Sequence, residues 1–296
     1  MHVWVAPLLL TAHLSAGQDL AAAFQALGKD AVWTEVSSRA LEFPSFHPQG
    51  MAAVGDRLFL SSVEVLDREA GKGTGHLFEM DREGRKLREI TLGEGALYHP
   101  GGMDHDGGRL WVSVGEYRPD SRSIVYTVDP ATLESREVFR FADHLGAVAH
   151  LPEEGLLVGV SWGARRWYSW KTETRDGVVT VPDPDHPESR PNGNHYIDYQ
   201  DMQRVPGTRW LLCAGLQQYT LPGGRLPALR LGGIDLVDTA GPVAVHQIPV
   251  PVRNAGAPAW TQNPFLVEMG PDGVRFLFVS GDDHSTLHVF ETKPRP

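Results

Sequence analysis

After residue 30 the chain contains no long apolar segment with the 3.6-residue period of a helix. Its apolar residues come in short runs punctuated by 32 Gly and 22 Pro, the pattern of an all-β chain of short strands. Aligning these runs on a shared Arg/Gly-apolar-apolar core exposes a repeat. Copies begin at Arg57-Leu58-Phe59-Leu60, Arg109-Leu110-Trp111-Val112, Gly155-Leu156-Leu157-Val158, Arg209-Trp210-Leu211-Leu212 and Arg275-Phe276-Leu277-Phe278, each just after a turn such as Asp106-Gly107 or Pro206-Gly207. The spacing is about fifty residues, the length of a four-stranded propeller blade.

The first two copies are the clearest. His47 to Glu64 and His99 to Glu116 both open on His-Pro-x-Gly-Met, turn, and close on Glu. Each predicts a hairpin with a histidine and a carboxylate at one end. Outer strands follow at Gly75–Asp81 and Lys86–Leu92, at Ile124–Asp129 and Ser135–Phe141, at Trp167–Trp170 and Val178–Val181, and at Ile234–Val237 and Val243–Ile248. The last unit stops after a third strand, Thr286 to Glu291, while Trp33 to Phe43 is a strand without a hairpin of its own. Pairing the two would close the ring and remove an open edge. The expected fold is therefore a five-bladed β-propeller of four-stranded blades closed by an N-terminal strand. The alternative, a six-bladed ring, would need a blade from Gln218–Leu231 or Lys171–Asn194, which read as turns.

Ahead of the domain at 31–296 lies an N-terminal segment, 1–30. Val3 to Leu10 is apolar and leads to Ser15-Ala16-Gly17, which suits a signal peptidase, but the first basic residue is Lys29 and Pro7 and His13 interrupt the run. Two readings stay open: a signal peptide over 1–17, making the protein periplasmic or secreted, or an ordinary segment of a cytoplasmic protein. Gln18 to Leu27 predicts a short helix with Gly28 at its C-terminal cap.

Charge narrows the partners. A net charge of −10 without a basic patch disfavours nucleic acid, and no apolar run reaches the length of a membrane span. A small-molecule substrate or ligand is expected. The lone Cys213 falls mid-strand, where an inert buried thiol is expected.

In such meanders the first strand begins and the second ends on the same face, so the polar ends of successive hairpins converge on one mouth of the channel. His47, His99, His144 and Asp198 open first strands; Glu64, Glu116 and Asp282 close second strands. Imidazoles gathered in this way suit a divalent metal such as Ca, Mn or Zn, for which His47, His99, His144 and Asp198 are the candidate ligands. The competing explanation is that each His-Pro opening is a turn whose ring donates to a backbone carbonyl. Glu64, Glu116 and His195 are the candidate catalytic groups, and Asn194, Tyr196 and Asp282 the candidate ligand contacts. Gly159-Val160-Ser161-Trp162-Gly163 matches the nucleophile-elbow pattern, but strand is expected to follow where that motif requires a helix.

The repeated hairpins, over roughly residues 33 to 296, resemble the superfamily of regucalcin/gluconolactonase-like, strictosidine-synthase-like and NHL propellers. His99-Pro100-Gly101-Gly102-Met103-Asp104-His105-Asp106-Gly107-Gly108 and Arg190-Pro191-Asn192-Gly193-Asn194-His195-Tyr196 resemble more closely a propeller family of unknown function. Gluconolactonase-like relatives imply a metal held by carboxylates and asparagines and usually six blades; this chain departs from them in both its blade count and its histidine-rich ring, so lactone hydrolysis does not transfer. The expectation is a metal-assisted hydrolase or lyase for a small polar or sugar-like substrate at the channel mouth, against a non-catalytic propeller that binds a ligand or a protein loop.

Overall fold

The computed structural model describes residues 6–194, 196–220, 229–251 and 258–295, with backbone alone at 6–15 and 229. The chain begins with α1 (Ala6–Gln25) and continues as β1 (Val32–Ala40). One meander follows: β2 (His47–Val54), β3 (Arg57–Asp67), β4 (Lys72–Asp81) and β5 (Lys86–Leu92). The next is β6 (Leu97–His105), β7 (Leu110–Glu116), β8 (Ser123–Val128) and β9 (Ser135–Phe141). A third holds β10 (Leu145–Leu151), β11 (Leu156–Ser161) and β12 (Arg166–Lys171), then β13 (Glu173–Arg175), β14 (Val178–Thr180) and β15 (Glu188–Pro191). β16 (Asp198–Arg204), β17 (Trp210–Tyr219), β18 (Leu229–Asp238) and β19 (Val243–Val250) form the fourth, and β20 (Phe265–Met269), β21 (Val274–Ser280) and β22 (Thr286–Lys293) end the chain. The second and third meanders join as one eight-stranded sheet through a single parallel bridge, Ala147 to Gly102.

β1 pairs antiparallel with β22 from Val32–Lys293 to Ala40–Thr286, so the N-terminal strand completes the last sheet in the order β1-β22-β21-β20. The sheets pack face to face through apolar clusters. One of them, with Phe265, Phe276, Phe278, Leu212 and Ile234, also takes in Leu20, Ala21, Phe24 and Leu27 of the N-terminal segment.

The inner strands meet at Asp201, which is 1% exposed. Its carboxylate accepts from the backbone N–H of Met51, Met103 and Met202 at 3.0 Å and of Phe265 at 3.4 Å. Inner strands from four meanders are thus tied to one side chain. The glycines of the two His-Pro-x-Gly steps make room for this convergence: a Cβ on Gly50 would lie 2.5 Å from the Met103 nitrogen, and one on Gly102 2.7 Å from an Asp201 carboxylate oxygen.

Two local expectations are corrected. The helix is longer than 18–27 and ends at Gln25; Gly28 is not in the left-handed region and instead accepts from the Ala31 N–H. In the third meander 178–180 is not the outer strand. Asp176 and Gly177, both at positive φ, turn it back on β13 as a separate hairpin, and β15 takes the place beside β12. Among the described residues no helix is long and apolar enough to cross a membrane, and no sixth four-stranded sheet occurs.

Candidate functional site

At one mouth of the ring a cavity of about 170 Å³ is lined by His47, His99, His144, Asp198, Trp162 and Tyr117, among others, with Gln49, Tyr199 and Gln200 also in its wall. Four of these lie at the starts of successive first strands: His47 opens β2, His99 is the third residue of β6, His144 immediately precedes β10 and Asp198 opens β16. Repetition of one hairpin around an axis places equivalent residues together, which is why positions distant in sequence share a cavity.

Each imidazole is held differently. His47 Nδ1–H donates to Asp282 Oδ1 at 2.8 Å, and Asn263 Nδ2 donates to the same oxygen at 3.3 Å. The hydrogen bond from His47 is the main reason the Asp282 carboxyl lies below its ordinary pKa. His144 Nδ1–H donates to the backbone carbonyl of Glu116 at 2.8 Å, in space that a Cβ on Gly115 would fill, 2.7 Å from that nitrogen. Both bonds commit Nδ1 as the donor and leave Nε2 of the neutral ring as a lone pair. His144 is 2% exposed, and its burial lowers its pKa to about 4. His99 is buried too; burial first, then the neighbouring His144 and His47, holds it well below the ordinary value of 6.5. Its Nδ1 has no hydrogen-bond partner among the described residues. His99 stacks on Tyr117 at 4.1 Å, whose ring carries the Arg68 guanidinium at 4.0 Å, and Trp162 meets His144 edge-on at 4.7 Å.

Other expected members lie elsewhere. The Glu116 carboxylate is turned to Arg118 and Arg122, at 2.8 and 2.9 Å. Burial acts to raise its pKa, but the hydrogen bonds from Arg122 and Arg118 prevail and keep it a fixed anion. Strand alternation explains the turn: Gly115 faces His144, so Glu116 faces away and contributes only its carbonyl. Glu64 sits 3.8 Å from His76 Nε2, outside the cavity lining. Asn194 and Tyr196 do not reach over the mouth. Tyr196 and Tyr199 donate their hydroxyls to the buried Asp235, the latter at 2.6 Å, while Asn194 Nδ2 donates to Tyr199 Oη at 2.9 Å. This network fastens the loop before β16 to β18. Asp198 lines the cavity and is ion-paired with Arg165. His195 lies outside the described residues. Among the described residues, no group of three or more His, Cys, Asp or Glu side chains is placed to hold a metal ion.

Ser161 fails as a nucleophile elbow, since a single 3₁₀ turn, Trp162–Ala164, follows it and its Oγ accepts from the Arg166 N–H at 3.0 Å. Gln49 and Gln200 are not distinguished by the sequence pattern, and Tyr117 is marked only as part of the Tyr117-Arg118 pair that follows a second strand. The signal was positional: Tyr117 follows the end of a second strand, and the glutamines lie two residues beyond the openings His47 and Asp198.

Residues 6–296 match the model of a family of unknown function (DUF6454). The chain belongs to it. None of the curated proteins matches this member of the family. Among solved structures it is similar to a hypothetical protein from Leishmania major, at 12% identity and TM-score 0.54 over 87% of this chain and 90% of that one. It also matches the WD40 domain of Toxoplasma gondii coronin, at 10% identity and TM-score 0.38, covering 91% and 88% of the two chains. A mannose phosphorylase from Leishmania mexicana in complex with phosphate ion matches at 12% identity and TM-score 0.47, covering 95% and 93%. The likeness to the Leishmania major protein speaks to fold alone. That the fold is propeller-like follows from the chain's own succession of four-stranded antiparallel meanders.

Proposed function

We propose that this family member is a hydrolase or lyase acting on a small polar, sugar-sized substrate at the mouth of a five-bladed propeller, through acid–base chemistry of its imidazoles. The carrying observation is the pair of fixed tautomers: His47 on Asp282 and His144 on the Glu116 carbonyl, each leaving Nε2 as the accepting nitrogen, of His47 as a base and of the buried His144 as a neutral hydrogen-bond acceptor. His47 with Asp282 is a base with an orienting carboxylate, the relation that activates water or withdraws a substrate proton in many unrelated enzymes. His144 stays neutral through physiological pH because burial disfavours its cation. Trp162 and Tyr117 offer an apolar wall, and Gln49 and Gln200 offer amides. The cavity, about 170 Å³, falls below the roughly 300–1,000 Å³ of sites for drug-sized ligands and suits a single ring.

A metal-assisted version would use His47, His99, His144 and Asp198 around Ca, Mn or Zn. It has weaker support, because these side chains share a cavity but, among the described residues, no three of them are placed to hold one metal ion, and Asp198 already faces Arg165. No step of the proposal runs through a metal.

The test is turnover of a panel of sugar lactones, glycosides and uronides by protein purified without chelator, with metal content measured on the same sample. His47→Ala should lower the rate on any accepted substrate by about 100-fold or more, and Asp282→Asn by roughly 10- to 100-fold, with no stoichiometric metal present. Activity that survives both substitutions overturns the assignment. Saturable binding without turnover selects the non-catalytic reading, which the mutual packing of His99, Tyr117 and Trp162 favours.

A further inference from the structure

The third meander departs from its neighbours in a way that opens a second cavity. After β12 the chain leaves the sheet as the β13–β14 hairpin, and the outer strand that returns, β15, is four residues long. Trp167 of β12 meets Tyr199 of β16 edge-on, with ring centroids 5.9 Å apart, but the covering of this sheet by the fourth meander is incomplete. Between them, sharing no lining residue with the histidine mouth, lies a cavity of about 520 Å³. Its apolar surface comes from Leu156 and Val158 on β11, Trp167 on β12, Pro182 in the loop before β15, and Pro242 in the β18–β19 turn. The walls are braced: Trp170 Nε1 donates to the Pro184 carbonyl at 2.9 Å, and Arg136 Nη2 donates to the Val179 carbonyl at 2.8 Å. A volume within about 300–1,000 Å³, apolar lining and a preformed shape are the features of a small-molecule site.

The charges on the rim define the ligand. Its acids have partners: Asp183 with His186 at 2.8 Å, Glu173 with Arg175 at 2.7 Å and Glu188 with Arg190 at 3.5 Å. Lys171, at the end of β12, makes no ion pair among the described residues. One cation is thus left over beside an apolar, aromatic-walled space. We propose that this cleft is a second ligand site, for an aromatic carboxylate whose ring lies against Trp167 and the prolines and whose carboxylate pairs with Lys171.

The experiment uses the full chain and 2-naphthoate, with 2-naphthalenemethanol as the uncharged analogue, followed by tryptophan fluorescence and calorimetry. Saturable one-to-one binding of 2-naphthoate is expected. Lys171→Glu, an exposed change that leaves the core intact, should weaken it about tenfold or more while leaving the alcohol unaffected. Ser169→Trp, on the same face of β12 as Trp167 and Lys171, should fill the cleft and abolish binding of both compounds; His144→Gln at the mouth should alter neither. The proposal is overturned if 2-naphthoate does not saturate, if Lys171→Glu leaves its affinity unchanged, or if His144→Gln removes the binding.

Discussion

A buried imidazole with a carbonyl on Nδ1 is a pH-dependent part of the fold as well as of the site. The His144 pKa falls from an ordinary 6.5 to about 4 because burial penalises the cation. Below pH 6.5 the unfolded chain takes up a proton that the folded one refuses, so stability is complete above that pH and is lost as pH falls toward 4, by about 3 kcal/mol from this residue alone. His99, depressed for the same reason, acts with the same sign. The urea midpoint should therefore drop between about pH 6.5 and 4, and His144→Gln should flatten that dependence while lowering the midpoint at pH 7. An equal slope in the variant would show that other groups govern the acid limb. The same residue illustrates a limit on reading sites from sequence: Glu116 was legible as a neighbour of the histidine ring, yet its carbonyl, not its carboxylate, touches His144.

Among the elements, β1 and α1 make separable contributions. β1 supplies the outer edge of the last sheet across eight paired positions, and Trp33 on it meets Phe276 with ring centroids 4.6 Å apart. Removing residues 1–43 would open the β22 edge and uncover Phe276 and Phe278, so that chain is expected to aggregate on size-exclusion chromatography. Phe24→Ala leaves β1 in place and creates a cavity under the helix. It should cost about 3–5 kcal/mol in denaturant unfolding yet elute like the wild type. If the two variants behave alike, edge pairing and helix docking are not distinct devices. The strand over 33–43 was legible because it had no hairpin partner of its own, whereas helix docking on Leu20, Ala21 and Phe24 depends on residues some two hundred positions away. Val178–Val181 reads as the outer strand of the third unit because its residues are β-forming in either arrangement; the Asp176-Gly177 turn folds it back on β13 instead.

For the whole molecule the decisive residue is Asp201. Four backbone donors from several sheets end on its two oxygens, away from water. Replacing it by Asn exchanges one acceptor oxygen for a donor and leaves up to two of those N–H groups facing it, at about 1–3 kcal/mol each. Asp201→Asn should accordingly lower thermal stability more than Asp282→Asn, whose bonds lie at the half-open mouth; calorimetric melting of the two checks the order. By itself the sequence determined the strands outside the third meander's outer part, their repeat, the closing strand and the gathering of His47, His99, His144 and Asp198 around one cavity. These follow from short-range pattern and from equivalent positions in a repeated unit, which symmetry brings together whatever the details. Only the tertiary structure decided that Asp201 ties the inner strands, that Asp235 draws Tyr196 and Asn194 away from the mouth, and that Arg118 and Arg122 take the Glu116 carboxylate. Some of these partners lie far apart in the chain and others are near neighbours. In each case the choice of partner depends on side-chain direction, burial and competition among polar groups, which take effect once the sheets have packed.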